Sequence, residues 1–194
     1  MKTSLKETFE KTTVPQLIQE LGIRNRNAAP RMVKVVINTG LGRASQQPSF
    51  KDKIFPAIEK ELAALCGQKP APRGAKKSIA GFKSREGQTI GLAVTLRGAR
   101  MYDFIHKITS AVYPRVRDFR GIDLKNIDKQ GNLNLGLKEH VVFPEISPEA
   151  STVQFGIQIT IVVKNAHHPE HAVALYKRLG FLFKDVTPKN KHKK

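Results

Sequence analysis

The residues with the clearest chemistry lie between Lys69 and Gly98, in KPAPRGAKKSIAGFKSREGQTIGLAVTLRG. Lys69, Arg73, Lys76, Lys77, Lys83 and Arg85 stand among glycines with Glu86 as the only acid of the first half, and nothing there repeats at an apolar spacing. Cations at this density neutralise phosphates. The second half alternates. Ile90, Leu92, Val94 and Leu96 point one way and Thr89, Gly91, Ala93, Thr95 and Arg97 the other, the two-residue period of a half-buried strand. A basic loop feeding a strand with a small, polar outer face suits close contact with a phosphodiester backbone.

Other stretches have the letters of a site without its geometry. NTGLGRAS opens like a dinucleotide fingerprint, but Ser45 stands where the third glycine belongs and Gln46, Gln47 and Pro48 follow, so it reads as a strand-end turn. His167, His168, Glu170 and His171 fit H-x-x-E-H, yet Pro169 biases His168 out of helical torsions and belongs at the first helical position. Two zinc-binding histidines four apart must share one helical face, so solvated histidines at a helix start are the better reading. Cys66 is the only cysteine, which excludes an internal disulfide or cysteine cluster and fits a reducing compartment. No carboxylate pair, nucleophile elbow or Cys/His arrangement has persuasive spacing, so no catalytic residue, metal or cofactor is expected.

The elements that must position the basic stretch are amphipathic. Leu5, Phe9, Leu17, Ile18 and Leu21 give a helix over 4–21 with Pro15 as a break or kink, followed by a strand from Met32 to Thr39 in which Val33, Val35 and Ile37 share one face. Ile54, Ile58, Leu62 and Leu65 mark a second helix closed by Gly67, its start obscured by Pro56; Met101, Phe104, Ile105, Ile108 and Val112 mark a third that ends at Pro114. YPRVRDFRGID is basic and turn-like, 132–138 is a short strand, FPEISPEAS is a loop, and 153–164 is the longest strand. Ala172, Leu175, Tyr176 and Leu179 complete a last helix before Gly180 and the basic tail VTPKNKHKK.

Four strands thus have one apolar face each and an opposite face of Gly, Asn, Gln, Thr, Lys and Arg with hardly an acid. The pattern predicts an α+β fold: an antiparallel-rich sheet with helices on one face and an open, basic RNA-binding face. One domain over 1–184, with a mobile basic loop at 73–87 and a basic tail at 185–194, accounts for the length of 194 residues. The formal charge of +18 weakens a compact state through self-repulsion unless a polyanion is the usual partner. MKTSLKETFEK lacks an apolar signal core and no run approaches a membrane span, so the expected place is the cytoplasm, with no membrane partner.

Read in order, PRMVKVVINTGLG, GQKP, KKSIAGFKSREG, GLAVTLRG, PRVRDFRG and FPEI closely resemble the signature blocks of the bacterial-type large-subunit ribosomal protein five family, the 5S rRNA binders. The blocks keep their order from Pro30 to Ile146. The resemblance implies a structural, non-enzymatic role in translation, in the central protuberance of the large subunit. It places 5S rRNA on the open sheet face, other large-subunit rRNA nearby, and the basic loop toward the peptidyl-site tRNA. It also implies neighbouring central-protuberance proteins and a small-subunit head protein as partners. Carried over by motif, Lys34, Asn38, Thr39, Gln68, Thr95 and Arg97 are the expected rRNA contacts. Lys76, Lys77, Ser78, Phe82, Lys83 and Arg85 are the expected tRNA contacts. Phe82 could either stack on a base or fold back to anchor the loop. Leu182 departs from the proline common in the family, which bears on the path of the C-terminus. The alternative of the same class is an RNA-binding assembly factor or chaperone outside the mature ribosome. An RNA-modifying enzyme is the alternative of another class, and it needs a cofactor loop or acid–base group that the sequence does not show.

Overall fold

Strands β1 (Arg31–Gly40), β2 (Ala71–Gly74), β3 (Thr89–Leu96), β4 (Leu133–Leu137) and β5 (Ile157–Lys164) form one sheet in the order β2-β3-β1-β5-β4. Every neighbouring pair is antiparallel. The computed structural model describes residues 5–149, 151, 153–166 and 168–184. Val35 and Ile37 pair with Leu96 and Val94 on one side and with Ile161 and Ile159 on the other, and Leu133 and Leu135 extend both rows. These side chains share one sheet face. They pack in a single core. Of the helices α1 (Leu5–Thr8), α2 (Val14–Glu20), α3 (Phe55–Cys66), α4 (Gly98–Lys107) and α5 (Pro169–Arg178), the last four add Leu17, Ile58, Leu62, Ile105 and Leu175 to the same core, and α1 packs the partly buried Leu5 against it. The expected α+β architecture, an antiparallel sheet backed by helices, is present.

The prolines inside the helical patterns do not end them. α1 runs into α2 through a wide turn, Phe9–Thr13, in which the Val14 N–H reaches back five residues to the Phe9 carbonyl, and Pro15 follows. The same arrangement recurs at Phe50–Ile54 before Pro56 and at Ile108–Val112 before Pro114. A proline ring collides with the carbonyl four residues back and supplies no N–H. Opening the preceding turn to a five-residue spacing moves that carbonyl aside, so the chain continues helically where a break was expected. Pro114 sits inside one further tight turn, Tyr113–Arg115, rather than at a stop.

Three other sequence expectations are corrected. β1 buries Met32, not Val33, because its register with β5 shifts between Met32 and Lys34, and such a bulge flips alternation for the residues before it. The strand expected from 153 begins at Ile157, which leaves β1 the longest. The Phe155 N–H is instead drawn to His140 Nδ1 at 3.4 Å. The sheet has a fifth strand, β2, within the stretch read as a loop. It lies at the sheet edge, the position at which Pro72 can be tolerated.

His140 is fully buried and stacks on Phe155 with ring centroids 3.9 Å apart. Ser151 Oγ lies 2.9 Å and Glu61 Oε2 3.1 Å from its Nε2, so the group ties α3 to the segment after β4. The three residue types are those of a hydrolytic triad, but serine and carboxylate share one ring nitrogen, so Glu61 cannot orient the ring from behind. With Nδ1 accepting from Phe155, the neutral tautomer carries its proton on Nε2. Burial holds the imidazole below its usual 6.5 despite the opposing pull of Glu61 and, more weakly, Glu139. The unfolded chain therefore takes up a proton near 6.5 that the folded chain resists, and this site loses stability as pH falls below that value. Melting temperature is expected to drop between about pH 7 and 5. His140→Gln, which has nothing to titrate, should show a shallower drop; identical profiles would remove His140 as the cause. Cys66 has no such role: burial pushes its thiol up to about 12, with Lys107 acting weakly the other way, and it stays protonated.

Candidate nucleic-acid interface

The sheet face opposite the core is laid out in rows by the register. Ala71, Ala93, Asn38, Gln158 and Gly136 cross the five strands at one level. Thr95, Val36, Thr160 and Asn134 form the next. Asn38 and the exposed Gln158 thus stand side by side above a floor of Ala and Gly. Gly91, opposite Gly40, lies so close to β1 that a Cβ there would sit 2.9 Å from the Thr39 carbonyl oxygen, and this keeps the floor low. Thr160 Oγ1 donates to Asn134 Oδ1 at 2.8 Å, which fixes the amide on the same face. Lys34, Arg73, Arg97 and Lys164 frame the rows, and no Asp or Glu occupies an open-face position of the five strands.

Of the residues expected to contact rRNA, the structure gathers five. Gln68, from the turn after α3, donates from Nε2 to the Thr95 carbonyl at 3.4 Å and so sits at the edge of β3 beside Thr95. Arg97 continues the alternation of β3 in extended backbone and is exposed. It comes level with Lys34, because Leu96 pairs with Val35. Thr39 is the exception. It shares the core face with Val35 and Ile37, is 2 % exposed, and its hydroxyl has no hydrogen-bond partner among the described residues. Gln158, Asn134 and Thr160 were legible as outward-pointing polar residues, but only the register places them beside Asn38.

The basic segment 73–87 is built as a hairpin arm. Ala75 and Gln88 continue the β2–β3 pairing, with the Ala75 N–H donating to the Gln88 carbonyl at 2.9 Å and the Gly87 N–H to the Ala75 carbonyl at 3.0 Å. Ile79 and Ser84 exchange backbone bonds around the turn Ala80–Phe82, which Lys83 closes with φ 48°. Ser78 Oγ accepts from the Glu86 N–H at 2.9 Å, so this expected contact also clips the arm to itself. Lys76, Lys77, Ser78, Lys83 and Arg85 are all exposed, and Ile79 is 48 % exposed beside the turn. The side chain of Phe82 lies outside the described residues, as do His167 and the tail 185–194. The chain reaches Lys184 by pairing with Ile122: the Ile122 N–H donates to the Leu182 carbonyl at 2.8 Å, and the Leu182 side chain is left 68 % exposed.

The profile of ribosomal protein L5 matches residues 25–85, and that of the ribosomal L5P family C-terminus matches residues 89–183. The chain belongs to the ribosomal protein L5 family. It is 47 % identical over 180 residues to the large ribosomal subunit protein uL5 of Pseudothermotoga lettingae, which covers 93 % of this chain and 96 % of that one. It is 43 % identical to the uL5 of Chloroflexus aurantiacus, over 95 % of this chain and all of that one. The uL5 of Prochlorococcus marinus is 45 % identical over 94 % of this chain and 99 % of its own. The family is one of ribosomal proteins and not of enzymes, so the chain is a large-subunit ribosomal protein, a component of the cytoplasmic ribosome in bacteria. Among the described residues no helix is long and apolar enough to cross a membrane.

Proposed function

We propose that this large-subunit protein binds 5S rRNA through its open sheet face in the central protuberance and touches the peptidyl-site tRNA through the basic arm. The observation that carries the reading is the face itself: five strands, cations at the margins, no acid, and Asn38, Gln158, Thr95 and Gln68 rising from a floor of Gly and Ala. Amides and hydroxyls suit riboses and base edges, and the low floor admits a backbone close to the sheet. The arm exposes Lys76, Lys77, Lys83 and Arg85 with little core of its own, which suits a second, separable contact. Other large-subunit rRNA, neighbouring central-protuberance proteins and a small-subunit head protein complete the proposed surroundings. A chemical footprint of the purified full chain on 5S rRNA tests the reading; an unprotected 5S rRNA would remove it.

Arg97 gives the sharpest single-residue test on the sheet. Arg97→Ala is expected to cost about 1–3 kcal/mol of 5S rRNA binding, the scale of a hydrogen bond to a charged group. Because Arg97 is exposed and donates no side-chain cap bond to α4, the melting temperature should barely move. Melting that fell as sharply as affinity would make Arg97 structural.

A further inference from the structure

The wide turn at the start of the chain leaves a backbone group without its helical partner. Because the Val14 N–H goes to Phe9, the Glu10 carbonyl loses its usual donor, and Arg26 Nη2 takes its place at 3.3 Å. Arg31 Nη2 in turn donates to the Arg26 carbonyl at 3.1 Å. Both guanidiniums are thus moored by one nitrogen at the rim of a recess of about 620 Å³ between the first helix and the beginning of β1. Lys164, paired with Arg31 across β1 and β5, completes the rim, and Glu10 is its one acid.

Three features of the recess ask for an anion. Arg31 Nε is buried with no hydrogen-bond partner among the described residues. None of the ion pairs found among them involves Arg26, Arg31 or Lys164. The space between these groups is open enough to admit one tetrahedral oxyanion. A buried N–H without an acceptor is costly, and a guanidinium fork matches two phosphate oxygens.

We propose that the recess lined by Arg26, Arg31 and Lys164 is a phosphate site that holds one phosphodiester of an RNA strand beyond the end of the open sheet face. Arg31 lies three residues before Lys34 on the same strand, but the bulge between Met32 and Lys34 leaves two steps of the ladder between them, about 7 Å along the sheet. Lys164 lies on the open face of β5, so a strand crossing the Lys34 and Arg97 end of the sheet passes over the recess. That continuity with an acid-free, cationic face favours a nucleic-acid backbone over an acidic peptide. The site goes beyond the sheet contacts and does not depend on which RNA lies there.

The test is a titration of the full chain, labelled with nitrogen-15, followed through the arginine side-chain N–H signals. The Arg31 Nε–H signal is identified by its loss in Arg31→Lys. It is expected to move on adding inorganic phosphate, and to saturate with a four-nucleotide oligouridylate at a concentration at least about tenfold lower. Both shifts should vanish in the Arg26→Ala/Lys164→Ala variant, whose changed residues are exposed, and survive in Arg97→Ala. No movement of the signal, or equal movement in the double variant, overturns the site. Saturation by an acidic peptide at lower concentration than by the oligonucleotide also overturns it, in favour of a protein partner. Binding of 5S rRNA measured in parallel, with and without Arg97, can fail while the Arg31 signal still responds, which separates the two readings.

Discussion

Raising salt fourfold is expected to weaken binding of 5S rRNA by roughly a thousandfold, if about six phosphates are neutralised. The margins of the sheet supply five of the cations this needs. Lys34, Arg73, Arg97 and Lys164 frame the sheet, and Lys138 follows the last residue of β4. Each neutralised phosphate releases condensed counterions, so the logarithm of affinity falls with that of salt at a slope close to the number of contacts. The amides of Asn38, Gln158 and Gln68 add contacts that salt does not screen, so some affinity should persist at the high end. Filter binding or fluorescence anisotropy across the range measures the slope. A flat response would mean that the margins of the sheet do not meet phosphates, and would shift the interface elsewhere.

Replacing Lys76, Lys77, Lys83 and Arg85 together by alanine should speed release of peptidyl-site tRNA from assembled ribosomes by about thirtyfold, taking roughly 0.5 kcal/mol per exposed phosphate contact. These side chains are exposed, and the arm is held by backbone bonds and by Ser78, Gln88 and Lys83 backbone geometry, none of which needs a charge. Folding and incorporation into large subunits are therefore expected to survive. Among the described side chains of the arm only Ala75 is buried, so its hairpin should fray in the free protein and settle on contact. Ribosomes purified with the quadruple variant allow tRNA occupancy and dissociation to be compared with wild type. Unchanged tRNA release would defeat the assignment of the arm, as would large subunits that lack the protein altogether.

Much of the architecture could be read from alternation alone. β5 has its outward and inward residues where a two-residue period puts them, because the extra residue of its irregular pairing with β1 lies on β1; β3 does so from Gly91 to Leu96, past the irregularity in its pairing with β2 at Arg73 and Gly74. The beginning of β1 could not, since a bulge is a property of two strands together and no single-strand pattern reveals the partner's register. β2 was invisible for a related reason: four exposed residues including Pro72 have no apolar face to alternate, and only β3 makes them a strand. Thr39 shows the limit of motif transfer. It adjoins Asn38 in sequence, but adjacent residues of a strand point to opposite faces, and the two side chains are separated by the sheet. Gln158 reaches the centre of the candidate site from 120 positions away, which the pairing with Asn38 alone accounts for.

The helices held a signal that composition did not bring out. Leu5, Phe9, Thr13, Leu17 and Leu21 are spaced by four throughout, as are Phe50, Ile54, Ile58, Leu62 and Cys66. On a regular α-helix that spacing drifts by about 40° per step, or about 160° from Leu5 to Leu21, too far for one face; one extra residue in a wide turn takes back about 100°. The proline that follows each turn and the strict spacing before it are therefore two halves of one instruction. Deleting a single residue at such a turn would restore a regular ladder, drive the proline ring into a carbonyl and swing the remaining half-helix away from the sheet. Changing the proline alone would leave the odd spacing still demanding the detour. The rotational phase of each helix is thus written in residue count, and insertions or deletions that a surface loop of this protein would absorb have no silent place within these three helices.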